Sequence, residues 1–164
     1  MKIAVLAGAV SLFVATAAYA GEFSYPKDGF AVTLPGQPAY SSSVVSSGPS
    51  PVEHHDYVLD MGGGARFVVS ATAIPGSEKA DEASTTRSAA EQAATKGNAT
   101  NVSYSDIVVG GHRGTAATLT VNGKLVKNHY FLANGRFYLL SAAAPPSAFP
   151  AALDQALASF RLTQ

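Results

Sequence analysis

"TLTVNGKLVKNHYFLANGRFYLLS", residues 118–141, contains two Asn-Gly pairs, Asn122-Gly123 and Asn134-Gly135, each between runs of β-prone residues. Asn-Gly is the preferred pair for a two-residue type I′ turn, because both central residues of that turn need positive φ. The stretch therefore predicts an antiparallel meander of three strands, at about 113–121, 124–133 and 136–143.

Turn-forming residues upstream of this meander delimit further strands. The segment "NVSYSDIVV" ends at Gly110-Gly111, a triple glycine separates two β-prone runs, and "FAVTL" lies between turn formers. "SSSVVSSGPSP", residues 41–51, is polar and contains proline, so a loop or ragged edge is predicted there. The strands predicted from these signals cover residues 30–34, 52–60, 65–73 and 101–109.

Two segments predict helices. Residues 79–96 are rich in alanine, with acids near the start, a cation at the end and Gly97 beyond, and their inner stripe would consist of Ala83, Ala90 and Ala94. The closing segment "SAFPAALDQALASF" would begin at Ser147 as N-cap, with Pro150 in the first turn. Its apolar residues at helical spacing are Phe149, Leu153, Leu157 and Phe160.

Apolar runs without alternation, such as Phe67-Val68-Val69, indicate a sheet that is partly covered on both faces. Together with the element order, they predict an α+β fold in which two helices flank an antiparallel sheet of about six or seven strands. This arrangement is an α/β/α sandwich.

The N-terminus, "MKIAVLAGAVSLFVATAAYA", has one cation at Lys2, a short apolar run and an A-x-A pattern at its end. These features predict a signal peptide over residues 1–20, cleaved between Ala20 and Gly21, and a single domain over 21–164 in the bacterial periplasm or medium. A retained membrane anchor is the alternative, but it needs about 20 apolar residues. No membrane span is therefore expected after cleavage.

Composition excludes several classes of function. The full chain has 11 Lys and Arg, 11 Asp and Glu, and no cysteine. Because clustered cations carry most nucleic-acid binding, the balanced charge argues against a nucleic-acid partner. The absence of cysteine excludes disulfides, lipid attachment through a thiol, thiolate metal sites and thiol catalysis.

Several stretches together resemble the bacterial PsbP-like proteins of unknown function, secreted relatives of the extrinsic photosystem II subunit. They are "F.YP.DGFAVTLPGQP", "GGGARFVVSATAIP", an alanine-rich middle helix, "NG.FYLLS" and "ALASFRLT", and the resemblance spans residues 23 to 163. It implies the sandwich fold, which also resembles that of a Ran-binding nuclear import factor. It further implies export and non-catalytic binding, with no catalytic signature to transfer.

Half of the four histidines lie in "VEHHDYVLD", residues 52–60. Adjacent side chains of a strand point to opposite faces, so one metal ion could be bound by His54 with Asp56, or by Glu53 with His55, but not by both histidines. A third zinc or copper ligand would come from elsewhere. The two other histidines that could supply it are His112 and His129. No spacing selects either, so the sequence predicts no metal site but a half-exposed strand whose polar residues meet water or cross-strand partners.

Other chemistry is not indicated. The chain has no G-x-S-x-G elbow, and "GGHRG" lacks the lysine, hydroxyl and following helix of a phosphate-binding loop. The sequence therefore predicts no enzyme, no catalytic residue and no cofactor.

The sequence favours a secreted binding or accessory protein whose partner is another periplasmic or envelope protein. Tyr25, Tyr40 and the 41–51 segment are the candidate contacts, because aromatic residues often anchor interfaces. The alternative for each is packing against its own domain. The alternative is a small-ligand or metal-binding periplasmic protein that uses His54, Asp56 and His129.

Overall fold

The computed structural model describes residues 20–47 and 50–163, so the predicted signal peptide lies almost entirely outside the described residues. Two α-helices, α1 (Glu82–Lys96) and α2 (Ala151–Ser159), are present in these ranges. No helix there is long and apolar enough to cross a membrane. The strands are β1 (Gly21–Tyr25), β2 (Phe30–Leu34), β3 (Ala39–Ser47), β4 (Ser50–Gly62), β5 (Ala65–Ala73), β6 (Thr100–Val109), β7 (His112–Val121), β8 (Lys124–Ala133), β9 (Arg136–Ala144) and β10 (Arg161–Leu162).

A seven-stranded antiparallel sheet, here the main sheet, has the order β3-β4-β5-β9-β8-β7-β6. The Asn-Gly turns that join β7, β8 and β9 have positive φ at all four central residues: 49° at Asn122, 75° at Gly123, 50° at Asn134 and 73° at Gly135. The predicted meander and its turn chemistry are therefore confirmed.

The helices cover opposite faces of the main sheet. Neighbouring residues of β8 show this, because Tyr130 and Phe131 point to opposite faces and are 2% and 0% exposed. Tyr130 packs in the cluster that contains Ala90 and Ala94 of α1, whereas Phe131 packs in the larger cluster that contains Leu153 of α2. The predicted α/β/α sandwich is confirmed.

The strand predicted at 30–34 forms, but in a second, small sheet. This sheet has the order β1-β2-β10 and packs on the α2 side of the main sheet, where Phe30 and Val32 are fully buried. The main sheet still has seven strands, because β3 occupies the edge beside β4. A local alternation predicts a strand but does not specify its partner, which depends on contacts distant in sequence.

Three local predictions need correction. Residues 41–51 were predicted as a loop or ragged edge, but residues 41–47 form most of β3, at the edge of the main sheet, and residues 50–51 begin β4, because each strand finds a partner in the other. Ser147 lies in a short 3-10 turn, and the N-cap of α2 is Pro150. Helix α1 begins at Glu82 rather than 79, since Asp81 caps it by accepting a 2.7 Å hydrogen bond from the Ser84 N–H.

The inner stripe of α1 differs from the prediction at one position. Ala90 and Ala94 are buried as expected, but the third buried residue is Thr86, whereas Ala83 is half-buried. The Thr86 hydroxyl lies 3.1 Å from the Thr115 hydroxyl of β7 and donates to the Glu82 carbonyl at 2.8 Å. Small side chains and one satisfied hydroxyl thus let α1 lie close to the sheet.

Candidate functional site

The alternation of β4 divides the sequence Glu53-His54-His55-Asp56 between the two faces of the main sheet. His54 Nε2 lies 3.2 Å from Asp56 Oδ2 on the α1 face, and His55 Nε2 lies 3.4 Å from Glu53 Oε2 on the α2 face. The structure thus brings together both same-face pairs that the sequence suggested and separates the two histidines.

The pair on the α1 face is half-exposed, with 25% of the His54 side chain and 33% of the Asp56 side chain accessible to solvent. Strand β5 supports both residues. His54 Nδ1 lies 2.7 Å from the Thr72 hydroxyl, and the Ser70 hydroxyl donates to the Asp56 carboxylate. The imidazole and the carboxylate are therefore fixed in orientation and partly open to a ligand.

The α2 face contains a buried carboxylate that the sequence analysis did not single out. Asp28 is 0% exposed and lies in the 3-10 turn Pro26–Asp28, directly before Gly29, whose φ is 70°. The left-handed conformation at that position suits glycine, which has no Cβ. The turn thus directs the Asp28 side chain inward, toward the main sheet.

Side chains from β4 and β9 surround this carboxylate. His55 Nδ1 lies 2.8 Å from both Asp28 oxygens, the Tyr57 hydroxyl donates to Oδ2 at 2.6 Å, and Arg136 Nη1 donates to Oδ1 at 3.2 Å. We call these four residues the Asp28 cluster. Since an isolated buried charge is strongly unfavourable, these donors are what allow the carboxylate to stay inside.

Two phenols beside the Asp28 carboxylate and backbone remain protonated. Burial, and then the hydrogen bond to Asp28, raises the pKa of Tyr57 far above its usual value. Burial also raises the pKa of Tyr138 to about 12, and its hydroxyl donates to the Asp28 carbonyl at 2.7 Å. Both hydroxyls therefore act as permanent donors that hold the turn on the sheet.

The remaining two histidines lie elsewhere. His129 is on β8 with its ring 6.3 Å from that of Phe131, hence on the α2 face, opposite to His54. His112 begins β7, and its Nδ1 lies 2.6 Å from Glu82 Oε1 of α1. Strands β5 and β9 lie between β4 and β8, and β7 lies beyond β8. Neither His129 nor His112 therefore joins the pair at His54.

The structure consequently does not assemble His54, Asp56 and His129 into one site. Sequence spacing could not settle this point, because it does not fix which faces two distant strands share. Within residues 20–47 and 50–163, no group of three or more histidine, aspartate or glutamate residues is placed to hold a metal ion.

The predicted interface candidates Tyr25 and Tyr40 meet around Tyr57. Ring centroids are 4.0 Å apart for Tyr25 and Tyr57, 5.2 Å for Tyr40 and Tyr57, and 5.7 Å for Tyr40 and His55. Tyr40 remains 54% exposed. We call Tyr25, Tyr40 and Tyr57 the tyrosine patch. Because Tyr57 and His55 belong to the Asp28 cluster, the patch lies on an immobilised base.

The strand that carries Tyr40 is an edge of the main sheet. On β3, Val44 lies on the same face as Tyr40 and is 71% exposed. The strand "AYSSSVVSS" contains neither a charged residue nor a proline. Natural edge strands are usually protected by such residues, so within the described part of the chain β3 is an open edge beside an exposed aromatic residue.

The two sheets and two helices define the class of the molecule as an α+β sandwich. Among solved structures, the chain is similar to the solution structure of cyanobacterial PsbP (CyanoP) from Synechocystis sp. PCC 6803, with a TM-score of 0.59 and 12% sequence identity, over 93% of this chain and 98% of that one. The fold is therefore PsbP-like, as the sequence resemblance implied. No family model and no curated protein matches the chain.

Replacing Tyr57 by phenylalanine should destabilise the protein by about 1–3 kcal/mol, because it removes a donor from a buried carboxylate. Urea denaturation measures the change. The matched control is Tyr40→Phe, which removes the same atom from an exposed ring of the same patch and should cost less than about 0.5 kcal/mol. Equal effects of the two substitutions would contradict the role assigned to the Asp28 carboxylate.

His129 should make the protein less stable in mild acid. Burial lowers its pKa below the usual 6.5, and Lys127 adds to this shift, whereas Asp154 opposes it. The unfolded chain therefore binds this proton more readily, and stability falls as the pH drops below about 6.5. His129→Gln should reduce that loss in urea denaturation above and below this pH; an unchanged pH dependence would contradict the interpretation.

Proposed function

We propose that this protein is a secreted, non-catalytic accessory protein that binds another protein of the bacterial periplasm or envelope. Export after cleavage between Ala20 and Gly21 is part of the proposal and rests on the signal-like N-terminal sequence. The observation that carries the binding role is the uncharged edge strand β3, on which Tyr40 and Val44 are 54% and 71% exposed.

A non-catalytic role is supported by how the buried ionisable groups are used. The Asp28 carboxylate has no exposed surface, and His55, Tyr57 and Arg136 surround its two oxygens. General acid or base catalysis needs a group within reach of the substrate. The cluster instead fixes the position of a turn and of the strand next to β3.

The tyrosine patch suits protein binding because its exposed member is held in place. The Tyr40 ring is supported by Tyr57 and His55, so little conformational entropy is lost when a partner covers it. Tyrosine is enriched at the energetic centres of interfaces. Val44, four residues along the same face, extends the apolar surface.

Affinity capture from the native envelope tests the proposal. A tagged protein carrying Tyr40→Ala and Val44→Ala should recover its partner at least about tenfold less efficiently than the unmodified protein, since an aromatic anchor contributes about 2 kcal/mol or more. The matched control is Val108→Ala, at the opposite edge of the sheet, where the side chain is 66% exposed. Equal recovery with all variants, or no partner at all, would contradict the proposal.

A second candidate function is the binding of a small ligand or a metal ion at His54 and Asp56. It is favoured by one observation, the half-exposed imidazole and carboxylate 3.2 Å apart on the α1 face. The pair supplies two ligands, and water or an added ligand would have to complete the coordination.

Calorimetric titration with zinc and with copper tests this second function. His54→Ala should abolish the heat of binding, whereas the control His129→Ala, on the other face, should leave it unchanged. No heat, or the same heat in both variants, would contradict a site at His54.

A further inference from the structure

The open edge at β3 has a pattern that complements itself. Tyr40 and Val44 lie two residues on either side of Ser42, on the face that Ser42 also shares. We propose that two copies of this chain pair their β3 strands antiparallel about a two-fold axis at Ser42, so that the main sheet continues across a dimer. This inference deepens the proposed function and rests on β3 as its binding surface.

The register follows from the positions of the exposed side chains. With Ser42 opposite Ser42 of the second copy, each Tyr40 lies opposite Val44 of the other strand. Aromatic and β-branched residues make favourable cross-strand pairs, and this dimer contains that pair twice. A register centred on Ser41 or Ser43 would instead place Tyr40 opposite a serine.

The composition of the strand favours a second copy as the occupant. β3 contains no charged residue, so antiparallel self-pairing places no like charges opposite each other. Serines 41–43 lie at the centre, where small side chains allow close approach. Pro38 has no N–H, so it limits the new ladder to residues 39–45.

The dimer would also enlarge the proposed binding surface. A two-fold axis perpendicular to the sheet keeps the α2 faces of both copies on one side. The two tyrosine patches would then lie on the same side of the dimer, on either side of the Ser42 pair, each with Val44 of the other copy beside its Tyr40. A partner protein would meet two exposed rings and two valines rather than one of each.

Disulfide trapping tests the register directly, because the natural chain has no cysteine. In the purified full-length protein carrying Ser42→Cys, the paired Cα atoms would lie about 4.5–5.5 Å apart, a distance that a disulfide can span. In the matched control Ser46→Cys, the two cysteines would lie on opposite sides of the axis. They would be eight residue positions apart along the paired strands, which is about 26 Å. Mild oxidation should give at least tenfold more covalent dimer with Ser42→Cys. Equal trapping, or none, would overturn the proposal.

Sedimentation velocity provides a second test that does not depend on oxidation. The unmodified protein should sediment as a dimer, and Ser42→Lys and Ser42→Glu should each sediment as monomers, because like charges would meet at the axis. Mixing these two variants should restore the dimer. A monomeric unmodified protein, or no recovery on mixing, would overturn self-pairing at Ser42.

Failure of the dimer and failure of the proposed function give different results. If trapping fails but Tyr40→Ala with Val44→Ala still abolishes partner capture, the dimer is refuted and the binding role stands. If Ser42→Cys is trapped but capture does not depend on Tyr40, the binding role is refuted and the dimer stands.

Discussion

The buried carboxylate of Asp28 is the constraint on which the rest of the molecule depends. A fully buried charge is tolerated only where donors surround it, and here β4 and β9 supply those donors. The turn that carries Asp28 leads directly into β2, and the Gly29 carbonyl accepts a 2.9 Å hydrogen bond from the Thr163 N–H near the chain end. The cluster therefore fixes the small sheet, and with it the cover of the larger core, on the α2 face.

The same cluster links the fold to the proposed interaction. His55 and Tyr57 accommodate Asp28 on one side and support the Tyr40 ring on the other. An edge strand is normally a mobile part of a sheet, but β3 lies along a strand that is held by buried hydrogen bonds. The exposed residues of β3 are consequently presented in a defined geometry, as a binding surface requires.

The sequence was sufficient to predict the parts of the structure that depend on neighbouring residues alone. The Asn-Gly turns require positive φ whatever surrounds them, so the meander could be predicted, and the alternation of β4 separated His54 from His55. The sequence was not sufficient to predict contacts between residues that are distant along the chain. The partnership of Asp28 with His55 spans 27 positions, and no spacing rule links an aspartate in a short turn to a histidine in the main sheet.

The error at the edge has a different cause, because β3 pairs with the strand that follows it in the chain. Residues 41–51 are dominated by serine and contain proline, a composition typical of loops, yet Val44, Val45 and Val52 fit the two strands of a ribbon. Backbone pairing with β4 outweighed weak local propensity. The absence of His129 from the His54 pair, by contrast, is a matter of distant pairing, because the face on which a residue lies is set by the register of the whole sheet.

The most direct test of this account is a double-mutant cycle for Asp28→Asn and His55→Gln, measured by urea denaturation. If the buried carboxylate and imidazole stabilise each other, the coupling energy should exceed about 1 kcal/mol. The comparison cycle uses Asp60 and Arg66, an exposed pair 3.6 Å apart, for which coupling near zero is expected. Additive effects at Asp28 and His55, within about 0.5 kcal/mol, would show that the carboxylate does not organise this fold.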